Sequence, residues 1–129
     1  MIGIWKSSAD VYLVVTGVVM LLLFGLPLTF VPISWARLFR WEIPQSRQLV
    51  IFLGRSVGVL ITVMGIMAII VTRKPAAMPF FFEIMLWIFA GMILLHVYGA
   101  IRKAQPITET LEITVWILLS LVTLGFYPL

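Results

Sequence analysis

Four long apolar runs, at residues 11–31, 49–71, 79–101 and 111–127, constrain this chain more than any other feature. Each approaches the ~20 residues that carry a helix across a ~30 Å hydrocarbon core. In lipid, backbone N–H and C=O groups have no water to bond, so an unbroken run of this length is satisfied as a helix. Barrel strands would instead read as ~10-residue segments of alternating polarity, and these runs do not alternate. The connectors left over are short, which makes neighbouring spans antiparallel. The predicted fold is therefore all-α: a polytopic membrane protein, with residues 1–129 forming one up-down bundle of four transmembrane helices.

Composition agrees and narrows the function classes. Of 129 residues, 63% are hydrophobic and 11% charged, with a mean hydropathy of +1.18; soluble domains carry roughly 45–50% and about 25%. Water would not hold so apolar a chain as a soluble enzyme, a disordered tail or a nucleic-acid-binding domain. The formal charge of +4 does not reverse this, because the nine basic residues are scattered near span ends and not gathered on one face, as a nucleic-acid footprint requires. Lipid headgroups are their natural partners. The absence of cysteine excludes disulfides, thiolate metal sites and thiol redox chemistry. The N-terminal segment holds one lysine before the first apolar run and no small-residue cleavage pattern, so it reads as an uncleaved first span.

The connectors set orientation. The longest, residues 33–47, places Ser34, Arg37 and Arg40 on one side of a helical projection and Trp35, Leu38 and Phe39 on another, between Pro32 and Pro44. With Trp41 beside it, this reads as a short interfacial helix, indole preferring the headgroup level. Arg37, Arg40, Arg47, Arg102 and Lys103 flank the first and third connectors, against Lys6, Arg73 and Lys74 on the other side. That asymmetry predicts first and third connectors in the cytoplasm and both termini outside, in a bacterial inner membrane.

The polar groups within the spans have to be explained. Arg55 lies early in the second span; a guanidinium at mid-membrane costs ~2.5–3.5 kcal/mol on insertion scales unless it snorkels or meets a carboxylate. Glu109 and Glu112 open the fourth span from the same side, so an Arg55–carboxylate pair, snorkelling, and a ligand-binding arginine are all open readings. Gly54, Gly58 and Gly65 form a small-residue stripe, which predicts close helix packing, within the chain or against another subunit. His96, the lone histidine, shares a face of the third span with Phe89, Met92 and Gly99; packing, ligand binding and proton transfer all remain open. With no second histidine, a bis-histidine haem needs a symmetric dimer. On the fourth span Glu109, Glu112, Trp116, Ser120, Thr123 and Tyr127 recur every three or four residues, laying a polar stripe that turns inward, either as interhelical hydrogen bonds or as the lining of a cavity. Glu83 and Asp10 sit near the opposite surface. Metal-spaced carboxylate pairs, Glu-x-x-His, a phosphate loop and a serine nucleophile with its base are not found, so no catalytic residue and no metal site is assigned.

The run Phe52-Leu53-Gly54-Arg55-Ser56-Val57-Gly58-Val59-Leu60, early in the second of four spans, resembles the DoxX-like group of small four-helix membrane proteins. With its histidine late in the third span, the layout is also similar to the sterol-pathway scaffold family of the endoplasmic reticulum. Arg55, Gly58 and His96 carry the likeness. It implies a small subunit of a quinone-linked redox complex in the first case and an enzyme tether in the second, and it transfers no catalytic set. Three functions follow as expectations. The first is a non-catalytic accessory or scaffold subunit in a larger membrane complex or a homo-oligomer. The second is a binder or carrier of a quinone, sterol or other lipid, and the third a small proton-coupled transporter. No resident cofactor is required by any of them, haem or quinone being the candidates.

Overall fold

The computed structural model describes all 129 residues, which form helices and no strands. α1 (Ala9–Met20) passes through a π-helical stretch, Leu21–Gly25, into α2 (Leu26–Phe30); α3 (Pro32–Leu38), α4 (Gln48–Val71), α5 (Met78–Ile101) and α6 (Ile107–Phe126) follow. The continuous helical segments Lys6–Phe30, Gln48–Val71, Pro75–Ile101 and Ile107–Phe126 are each long and apolar enough to cross a membrane. The chain is thus an all-α integral membrane protein with four such helices. The first and third segments begin before their apolar runs, because short 3-10 turns at Lys6–Ser8 and Pro75–Ala77 lead into them. Two compact units are distinguished: a central one, Leu13–Arg73, and a terminal one built from Met1–Tyr12 and Lys74–Leu129.

In the central unit, glycine decides how α4 packs. A Cβ on Gly58 would meet the Thr29 amide nitrogen, and would lie 2.8 Å from the Leu28 carbonyl carbon. One on Gly65 would lie 2.9 Å from the Gly17 carbonyl oxygen, and one on Gly54 would lie 2.8 Å from Pro32 Cβ. The backbones therefore approach as closely as glycine allows, which is where dispersion between helices is largest in a solvent of hydrocarbon. The π-helical stretch has an identifiable cause. Pro27 has no N–H to give the carbonyl four residues back, that of Leu23, and its ring crowds that turn. The indole of Trp35 donates to the Leu23 carbonyl at 3.0 Å and supplies the missing partner.

The interfacial segment expected over 33–47 is helical only through Leu38, and it starts at Pro32, which occupies the first helical turn where a missing N–H costs nothing. It closes with Arg40 in the left-handed region (φ 63). The Arg40 amide donates to the Arg37 carbonyl and the Trp41 amide to that of Ala36, each at 3.0 Å. This is a Schellman cap with arginine where glycine is usual. Phe39 packs on Trp35 with ring centres 4.3 Å apart, and Arg37 is exposed.

In the terminal unit, α5 and α6 are joined by a second Schellman cap. Lys103 adopts φ 51, its amide donates to the Ala100 carbonyl at 3.2 Å, and the Ala104 amide donates to that of Gly99 at 2.9 Å. Pro106, extended at φ −67 and ψ 162, then starts α6. The chain start is fastened to the end of α6: the Gly3 amide donates to the Leu124 carbonyl and the Trp5 amide to that of Gly125. A Cβ on Gly125 would strike the six-membered ring of Trp5, so only glycine leaves room for the indole there. Tyr12 stacks on Phe126 at 4.7 Å and lies against Phe82, which is fully buried.

Candidate functional site

The polar stripe of α6 divides into two halves with different employment. Toward the C-terminus it is consumed by packing. Thr123, fully buried, donates to the Leu119 carbonyl at 2.7 Å, so the Tyr12 hydroxyl, 2.5 Å from Thr123 Oγ1, must be the donor of that pair. Ser120 donates to the Trp116 carbonyl at 2.8 Å. Tyr127 donates to Glu83 Oε1 at 3.0 Å. That bond, then burial, then the charge of Glu83 push the phenol above its ordinary 10.0, since each disfavours a phenolate.

Toward the N-terminus of α6 the stripe meets His96. His96 lies one turn and a half before the end of α5, and the Schellman turn returns the chain so that the first turn of α6 passes beside it. Glu109 and Glu112, three residues apart, share one helical face. His96 Nε2 lies 3.0 Å from Glu109 Oε2 and 3.6 Å from Glu112 Oε2, while Nδ1 lies 2.7 Å from the Met92 carbonyl oxygen. His96 is 3% exposed and Glu109 8%. One ligand atom from each of the three residues falls within 4.8 Å of the others.

Neighbouring groups hold this centre in place. Gln105 Nε2 donates to the His96 carbonyl at 2.9 Å and to Thr110 Oγ1 at 3.2 Å, tying the connecting turn to both helices. Gly99 leaves the space that the Gln105 amide fills, for a Cβ there would collide with its oxygen. The Trp116 ring stands 6.0 Å from that of His96 and 5.6 Å from Phe89. Its buried indole N–H is directed at the Glu112 carboxylate, in a contact that falls short of full hydrogen-bonding geometry. A buried donor held so weakly leaves much of its hydrogen-bonding capacity unused, which sets this atom apart within the terminal unit.

Of the residues singled out from sequence, the structure brings together His96, Glu109, Glu112 and Trp116. Ser120 and Thr123 lie further along the same helix in the hydrogen bonds above. Arg55 is exposed on α4 in the central unit, and the two carboxylates considered for it are engaged by His96. Gly54, Gly58 and Gly65 are filled by Pro32, Thr29 and Gly17. Met92 and Gly99 share the His96 face as the sequence predicts, whereas Gln105 and the use of the Met92 carbonyl as an acceptor were not anticipated. Gln105 carried a faint signal, a side-chain amide next to Pro106 in a turn too short to leave it remote from both helices. Comparison with protein-family models, curated proteins and solved structures finds no match to this chain.

Proposed function

We propose that the protein is a small membrane binder or carrier of an amphipathic molecule with a hydroxyl in its polar head, a quinol, sterol or other hydroxylated lipid. The observation that carries this reading is the buried Trp116 N–H, held only weakly by the neighbouring Glu112 carboxylate. A hydroxyl oxygen accepts from the indole while its hydrogen goes to the carboxylate, so one O–H satisfies both groups. Ionisable groups buried within membrane-spanning helices are costly and mark functional positions by default. The apolar remainder of the ligand would lie along the lipid-facing surface, as the molecule itself prefers.

The accessory or scaffold reading gains nothing from the glycine stripe, whose grooves are occupied by the chain's own residues. Haem ligation through His96 would require Nε2 to leave both carboxylates. Placement in a bacterial inner membrane, with both termini outside, is supported by the basic residues around the first and third connectors.

Mass spectrometry of lipids extracted from protein purified in mild detergent tests the binder reading. Near-stoichiometric recovery of one hydroxylated amphiphile is expected from the wild type, with loss on Trp116→Phe, which keeps the ring and removes the donor. Recovery of bulk membrane lipid alone, or equal recovery from the variant, overturns the reading. Capture of a stoichiometric membrane-protein partner in the same native preparation would favour the accessory role instead.

A further inference from the structure

We propose that His96, Glu109 and Glu112 form a site for one divalent first-row transition ion, of which Zn²⁺ is the probe. The site stands on the geometry of these three side chains and goes beyond the lipid reading, with which it shares only Glu112.

The Met92 carbonyl can only accept, so His96 Nδ1, 2.7 Å away, carries a hydrogen. In the neutral ring Nε2 is then a lone pair, and it points at two carboxylate oxygens 3.0 and 3.6 Å away. Three groups able to offer electron pairs thus converge from two helices, an arrangement that calls for a proton or a metal cation among them. With an ion bound, two ionised carboxylates and a neutral imidazole would carry −2, which a divalent cation neutralises. Buried charge is tolerated where it is paired or coordinates a metal.

The spacing fits. Four ligands at ~2.1 Å around a tetrahedral ion stand about 3.4 Å apart, and neighbouring ligands of an octahedral one about 3.0 Å. The imidazole–carboxylate distances of 3.0 and 3.6 Å lie near that range, and the three ligand atoms fall within 4.8 Å of one another, so side-chain rotation is enough to draw them around an ion. A ligating histidine characteristically donates its other N–H to a backbone carbonyl, which fixes the ring and raises its basicity; Met92 does this here. Gln105 locks the turn that sets the two helices in register. The Trp116 N–H stands beside Glu112, placed to support a ligating carboxylate from its outer side. One imidazole and two carboxylates suit Zn²⁺, Mn²⁺ or Fe²⁺. Copper(I) wants sulfur, and Ca²⁺ wants six to eight oxygens. Three protein ligands leave at least one coordination position open.

The test uses the full-length protein in detergent, delipidated and stripped with a chelator, then equilibrated with Zn²⁺ and analysed for bound metal. About one Zn²⁺ per chain is expected, with affinity at least ~10-fold weaker in Glu112→Gln and in His96→Gln, while Glu42→Gln in the first connector binds as the wild type does. Substitution with Co²⁺ in the unaltered protein gives a reading that does not depend on variants folding. Ligand-field bands of a nitrogen and oxygen environment support the site. Zn²⁺ binding no stronger than in the Glu109→Gln, Glu112→Gln double variant, or a Co²⁺ spectrum equal to that of the free ion, overturns it. Lipid recovery measured on chelator-treated protein fails or succeeds separately, so loss of one proposal does not carry the other.

Discussion

Trp35 shows how a side chain can serve a purpose other than its composition suggests. Its place in the first connector fits an aromatic belt, but its N–H is spent on the Leu23 carbonyl that Pro27 leaves without a partner. Trp35→Phe should cost about 1–3 kcal/mol, the penalty for an unsatisfied polar group. In a Pro27→Ala background, where residue 27 regains an amide for Leu23, the same change should cost clearly less. Unfolding in mixed detergent, run as a double-mutant cycle, checks this; equal costs in both backgrounds would remove the causal link. Tyr127 gives a second, pH-dependent case. Glu83 raises its phenol above 10.0, so the fold favours the neutral form. The contribution is complete below about pH 10 and is lost as pH rises through the elevated value, which lies above it. Difference tyrosinate absorbance between the wild type and Glu83→Gln should show Tyr127 ionising late in the wild type and moving back toward the ordinary range in the variant. Neither role was legible from sequence, because each depends on which carbonyl or carboxylate a folded backbone brings near, and hydropathy carries no such information.

The helices were legible and their junctions only partly so. Span number follows from summing hydropathy over some twenty residues, a sum that local error barely disturbs. Helix ends follow from single dihedral angles, and the sequence offers arginine and lysine where two caps call for glycine. Arg40 and Lys103 hold φ of 63 and 51, a region costing an L-residue roughly 1–2 kcal/mol. Arg40→Gly should therefore raise stability by about 1 kcal/mol, measured by the same unfolding assay, and destabilisation would count against the cap. The glycines of α4 give the opposite sign. A Cβ at Gly58 meets the backbone of Thr29 and Leu28, whereas one at Gly91 meets nothing within 4 Å. Gly58→Ala should destabilise by about 1–3 kcal/mol through forced separation of backbones, and Gly91→Ala should be neutral or stabilising by up to ~1 kcal/mol. The joining of His96 to Glu109 and Glu112 belongs to the same category. The three-residue spacing of the glutamates was visible in the sequence, but not the left-handed turn at Lys103 that rotates them onto the histidine.

Four spans put both chain ends on one side of the membrane, and the direction is left to the charges. Lysine and arginine near the ends of short connectors resist translocation, and Arg37, Arg40, Arg47, Arg102 and Lys103 outnumber Lys6, Arg73 and Lys74. The contrast is modest, so it should be reversible: in dual-orientation proteins a few added charges change the outcome. The chain contains no cysteine, so single cysteines report position without background. Ser46→Cys and Ala104→Cys should resist a membrane-impermeant maleimide applied to intact cells, while Ser8→Cys and Ala76→Cys react. Labelling of all four after lysis shows that protection came from the membrane and not from burial. Adding lysines beside Lys6 and Lys74 while neutralising Arg40 and Arg47 should invert the pattern. An unchanged pattern after that exchange would mean that a feature other than positive charge sets the direction, and the placement of the His96 end on the cytoplasmic side would lose its basis.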